Sequence, residues 1–207
     1  MREASLQAIY LSLVEEVVTR LDAAERFLAS PEVIYLESAI LQLRKSLELV
    51  ALAAIAPDKK KYAAFRASAA EAPDFTKDYH AAKIFTALAR VNPDFFPLPL
   101  TPAIRQPDGV WHYGRKQSGY LSKKQFERVY DRLGKQLHAH NPWSSPKNIQ
   151  NLQADLPGII AATRGLVQLH ARVIRTSEFE GVWVIEASPK PVVITGSSGG
   201  PFVVRAG

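Results

Sequence analysis

No cysteine occurs anywhere in the 207 residues. Disulfides and cysteine-ligated zinc sites are therefore excluded, and a reducing compartment fits. No stretch stays apolar for the roughly 20 residues that a membrane-spanning helix needs. The opening MREASLQAIY carries charges where a secretory signal requires an apolar run. The expected location is the cytoplasm, with no membrane partner. Also missing are H-E-x-x-H, G-x-S-x-G and Walker patterns, internal repeats, and any carboxylate cluster at metal-ligand spacing. The glycine-rich GSSGG at 196–200 has no lysine and no helix after it, so it reads as a hairpin turn rather than a phosphate cradle. No metal and no cofactor is expected.

What the chain does have is positive charge. The formal net charge is +6 and the sequence pI is near 9.5. Such a balance inclines a protein towards polyanions: nucleic acid, acidic partners or a membrane surface. Hydrophobic residues at 47% and charged residues at 22% are ordinary for a globular chain of one substantial core.

Apolar residues recur at helical spacing over residues 3–29, through Leu6, Ile9, Tyr10, Leu13, Val17 and Leu21. Ser30-Pro31 breaks that helix, and Pro31 suits the first position of the next. The second helix spans about 31–56, with Leu36, Ile40, Leu43, Leu47 and Val50 inward. Arg44 projects within this apolar face. Either it pairs with Glu48 as a structural ion pair, or it lines a cleft beside Arg132. The run DKKK at 58–61 opens a short alanine-rich helix that stops before Pro73. A further helix follows Thr76 as N-cap and carries Ile84, Phe85 and Leu88; its His80 reads as a core or surface residue.

Residues 92–119 form a long loop, since prolines at 93, 97, 99, 102 and 107 forbid regular helix and central strand. Within it, VWHYGRK could stack bases and hold phosphates, or form a short hairpin or tether that packs its aromatics inward. Beyond Ser144 or Ser145 as cap, a helix runs through Ile149, Leu152, Leu156 and Ile160, with Pro157 as kink or restart. Then the period changes to two. In LVQLHARVIRT, Val167, Leu169, Ala171 and Val173 lie on one side; Gln168, His170 and Arg172 lie on the other, with a cross-strand partner expected for His170. VWVIEA, PVVITG and PFVVRAG complete an antiparallel meander over 166–206. Helices first and strands last means α+β: a helical unit at 1–165, and a small antiparallel β-meander at 166–207 packed on the helices.

The stretch from Tyr120 to Trp143 is the most marked. Ser122 and Gln125 make a capping box, and Asn141-Pro142 ends the helix. Phe126, Val129, Tyr130, Leu133 and Leu137 share one arc; Lys124, Arg128, Arg132, Lys135 and His138 share the opposite one. The plain reading is a solvated basic face, its histidine favoured near a helix C-terminus.

Arg132 and His138, in R-L-G-K-Q-L-H, resemble the R-x(4–6)-H signature of the HEPN superfamily. The phrase ESAILQLRKSLELVALA resembles that superfamily's second helix. The resemblance implies an antiparallel helical bundle and a homodimer whose two motif helices meet in one cleft. It implies metal-independent RNA cleavage, of the kind found in toxins and phage-defence factors, with an antitoxin or other protein as a further partner. Arg132 would hold the attacked phosphate and His138 would move the 2′-hydroxyl proton. Lys135 and Arg128 on the basic face, His140 and Asn141 at the helix end, and Arg44 would bind substrate. The chain departs from many active members in carrying Leu133, not a polar residue, directly after the arginine. The alternative is a non-catalytic dimer that binds nucleic acid or a partner protein.

Overall fold

The computed structural model describes residues 5–69, 74–107, 109, 111–139, 143, 149–175, 180–188 and 190–198. Helix α1 (Leu6–Leu28) starts where the Ser5 hydroxyl accepts the Ala8 N–H at 3.1 Å. Helix α2 (Val33–Ile55) returns beside it as an antiparallel partner. Phe27 stacks on Tyr35, and Arg20 donates to Gln42 at 2.8 Å. Pro31 was expected to open α2, but the helix begins two residues later, with Glu32 at its N-cap.

A 3₁₀ turn (Ala56–Asp58) leads into α3 (Lys59–Ala67), which opens on the lysine run as expected. Thr76 does not cap the next helix. Asp74 accepts both the N–H and the hydroxyl of Thr76 and closes a 3₁₀ turn at Phe75–Lys77. Helix α4 (Ala81–Val91) therefore starts later, with His80 at its N-cap.

The loop after α4 is less irregular than its prolines suggest. Leu98–Pro99 forms β1, an edge strand where proline is tolerated. Ile104–Arg105 and Trp111–His112 form a small hairpin, β2–β3. This is the hairpin alternative, but Trp111 does not pack inward: it is 61% exposed.

Helix α5 (Lys123–Gln136) and helix α6 (Ile149–Val167) complete the helical body, and α6 runs unbroken through Pro157. Side chains of α1, α2, α4, α5 and α6 fill one core. Its centre is aromatic: Phe85 lies against Phe126 at 4.8 Å between ring centroids and against Phe95 at 5.1 Å.

The sheet differs from the expected meander in its membership and in where its first long strand begins. Strands β4 (Leu169–Arg175), β5 (Glu180–Glu186) and β6 (Val192–Ser198) are consecutive and antiparallel. The fourth strand is β1, paired to the outer side of β4, so the order is β1-β4-β5-β6. The expected strand PFVVRAG lies outside the described residues. Strand β4 begins at Leu169, not 166, because α6 holds the chain through Val167.

Both faces of β4 are covered. Ala171 and Val173 pack under Leu98, Leu100 and Tyr113. His170 and Arg172, on the other side, are wholly buried towards the helices. Tyr10 and Val14 of α1 join Ile185 and Ala187 in the layer between. The sheet thus shares an apolar interface with the helical body.

Candidate phosphate-binding groove at the end of helix α5

Helix α5 is placed from both ends of its own sequence. At the start, Ser122 accepts the Gln125 N–H while the Gln125 side chain accepts the Ser122 N–H. This satisfies two donors that a helix start leaves open. Phe126, Tyr130 and Leu133 anchor the inner face. The helix ends at Gln136, well short of the expected Asn141. Its last turn tightens to a bond from Leu137 N–H to Gly134 carbonyl oxygen. His138 therefore lies past the helix end, on an exposed bend. His140 and Asn141 lie outside the described residues.

The basic face divides into two directions. Arg132 turns to α6, where its Nη1 lies 2.6 Å from Asp155 Oδ2. Arg128 is exposed and is not among the groove-lining residues. Lys135 and His138 instead line a groove of about 380 Å³ with Arg44, His80, Tyr130, Asp131, Gly134 and Leu137. Of the expected site residues, the groove brings Arg44, Lys135 and His138 together. Arg132 stands apart.

Arg44 makes the expected ion pair and borders the groove, but not beside Arg132. Its Nε is 3.3 Å from Glu48 Oε1, the ion pair. Its Nη1 donates to the Tyr130 carbonyl at 3.1 Å, and its Nη2 to the Tyr130 hydroxyl at 2.9 Å. The guanidinium lies 4.1 Å from the Tyr130 ring centre. Tyr130 in turn donates its hydroxyl to Glu48 at 3.0 Å. Arg44 has five N–H donors, so bonds remain for a ligand in the groove. Burial, then the Glu48 carboxylate, push the Tyr130 phenol up to about 12, so it stays a neutral donor.

Sequence reasoning missed His80, Tyr130 and Gly134. His80 meets the Tyr130 ring edge-on at 5.3 Å, and its buried Nδ1 has no hydrogen-bond partner among the described residues. Gly134 was the legible signal. A glycine inside a helix costs about 1 kcal/mol against alanine, so something should require it. A Cβ at position 134 would stand 2.1 Å from Arg44 Nη1. Gly134→Ala is expected to expel the guanidinium from Tyr130. Gained helix propensity of about 1 kcal/mol only partly offsets the two charge-assisted hydrogen bonds to Tyr130, roughly 1.5 kcal/mol or more each, so thermal stability should fall moderately. Affinity for a phosphate-bearing ligand should fall as far as in Arg44→Ala, measured by fluorescence titration. Unchanged affinity would show that Arg44 takes no part in binding.

The arrangement suits a phosphodiester. Among the described residues, one guanidinium, one ammonium and two imidazoles border the groove, and Asp131 is the one carboxylate in its lining. Guanidinium and ammonium hold phosphate oxygens; an imidazole can take and return a proton near neutrality. Among the described residues no group of three or more His, Asp or Glu could hold a metal, and no helix is long and apolar enough to cross a membrane. No family model matches this chain, and no curated protein or solved structure shows significant similarity to it.

Proposed function

We propose that the chain is a metal-independent RNA endonuclease of HEPN type, acting as a homodimer. The observation that carries this reading is the convergence of Lys135 and His138 on the groove walled by Arg44. His138 takes the proton of a ribose 2′-hydroxyl. The freed oxygen attacks the adjacent phosphorus, the 5′-oxygen leaves with a returned proton, and a 2′,3′-cyclic phosphate remains. Arg44 and Lys135 hold the non-bridging oxygens as charge builds on them. Arg132 joins the reaction only by releasing Asp155.

The test is labelled single-stranded RNA incubated with EDTA. Wild type should cleave it to cyclic-phosphate ends. His138→Ala should lose at least about 100-fold in rate, the usual worth of a positioned acid–base group. Lys135→Ala should lose roughly tenfold, as one charge-assisted phosphate contact does. Arg132→Ala separates two arrangements: a loss matching His138→Ala puts Arg132 in the cleft, and retained cleavage leaves the phosphate to Arg44 and Lys135. Cleavage unchanged in His138→Ala would overturn the proposal.

A second reading has its own support. Arg132 is engaged with Asp155, and Leu133 is buried in the core. Both features suit a dimer that binds RNA or a partner protein without cutting. RNA binding without cleavage, weakened by Lys135→Ala, would favour it.

A further inference from the structure

Helix α2 carries an exposed strip that its own fold does not use. Ile34 is 65% exposed and Leu41 37% exposed, unusual for large apolar side chains on a helix otherwise rich in core residues. At about 100° per residue, Ile34, Glu37, Leu41 and Lys45 fall within an arc of about 80°. Glu37 and Lys45 are both exposed. They stand four positions before and four positions after Leu41 on the same face. The strip borders Arg44, which lines the groove and pairs with Glu48.

We infer that this strip is the contact between two copies of the chain, α2 lying antiparallel on α2 about a two-fold axis at Leu41. A two-fold contact is self-complementary: each residue before the axis meets its counterpart after it. Placed there, the two Leu41 side chains meet, and Glu37 of each copy faces Lys45 of the other, twice over. Shifting the register by one turn puts Glu37 against Leu41 and loses both charge pairs. The same packing sets the two Arg44 positions about 9 Å apart along the helix axes, from a rise of 1.5 Å per residue. The two grooves then adjoin across the axis. The inference names the surface on which the homodimer of the nuclease reading would form, and its test needs no RNA.

Sedimentation over a range of protein concentrations should show a monomer–dimer equilibrium. Leu41→Glu and Glu37→Lys, both exposed changes that leave the helical circular dichroism intact, should each weaken the dimer at least about tenfold. The double exchange Glu37→Lys with Lys45→Glu restores opposite charges at both contacts and should return affinity to within about threefold of wild type. A wild type that stays monomeric at about 100 µM, too weak for a stable contact, overturns the inference. So does a dimer indifferent to Leu41→Glu, or a double exchange no tighter than Glu37→Lys alone. A dimer that behaves as described but cuts no RNA leaves this surface standing and removes the nuclease reading.

Discussion

Acidification from pH 7 to pH 4 is expected to cost the fold roughly 3 kcal/mol through one imidazole, His170. This side chain is fully buried between β4 and α1. Its Nδ1 lies 2.7 Å from the Val167 carbonyl oxygen and its Nε2 lies 2.6 Å from the Tyr10 hydroxyl. A carbonyl can only accept, so Nδ1 carries the proton and Nε2 accepts from Tyr10. The two partners together define one neutral tautomer. Burial above all, with the nearby Arg172 cation adding to it, lowers the His170 pKa to about 3, against a weaker opposite pull from Val167. Burial likewise pushes Tyr10 up to about 12, so the phenol remains the donor.

Between the two pKa values the unfolded chain binds a proton that the fold refuses. Stability is therefore complete above about pH 6.5 and falls by about 1.4 kcal/mol per pH unit towards pH 3. Asp58 works the other way, since burial raises its carboxyl and acid relieves that cost. Comparison with His170→Gln isolates the histidine: the variant should lose most of the slope in urea midpoints between pH 6.5 and 4. NMR titration of the wild type gives a second check, independent of how Gln fits. A His170 resonance that titrates near pH 6 would contradict the argument.

The neighbouring Arg172 explains why this region was illegible in the sequence. Read along the strand, Gln168, His170 and Arg172 form a polar side, which normally means a solvated face. Here that side meets the helices. Arg172 is wholly buried, donating to the Ala54 carbonyl at 3.3 Å and lying 5.8 Å from the Tyr10 ring centre. Asp58, buried beneath Asn92 at 2.9 Å, supplies an opposite charge nearby. None of these pairings is local in sequence, so no periodicity could reveal them. The helices were different. Their apolar spacing, the Ser122–Gln125 box and the core positions of α5 are local properties, and the structure reproduces them. The groove falls between these cases. Arg44, Lys135 and His138 were legible as residue types on faces. Their convergence depends on how α2 packs against α5, which Gly134 permits. The separation of Arg132 depends on Asp155, 23 residues further on and in another helix.

Gly165→Ala is expected to destabilise the protein by roughly 2–3 kcal/mol, while Gly158→Ala, two turns earlier on the same helix, should stabilise it by up to about 1 kcal/mol. A Cβ at 165 would stand 2.0 Å from the Gly119 carbonyl oxygen and 3.1 Å from Lys116 Nζ. The lysine can move aside, but the carbonyl is backbone and fixed on both sides. Gly119 has a φ of +75°, a conformation favoured by glycine, and two residues later Leu121 donates its N–H to Ala162 of α6 at 3.1 Å. Relief of the clash must therefore push the loop from α6 and disturb that hydrogen bond, together with the buried Leu121 side chain. Ser122, the cap of α5, follows at once, so the displacement reaches the helix that lines the groove. At position 158 nothing lies within 4 Å of the added carbon, and only the gain in helix propensity remains. Thermal melts should show Gly165→Ala lower by roughly 5–10 °C and Gly158→Ala slightly higher. Shifts of the same sign in both variants would mean that propensity, not the close approach of α6 to the loop, governs this helix.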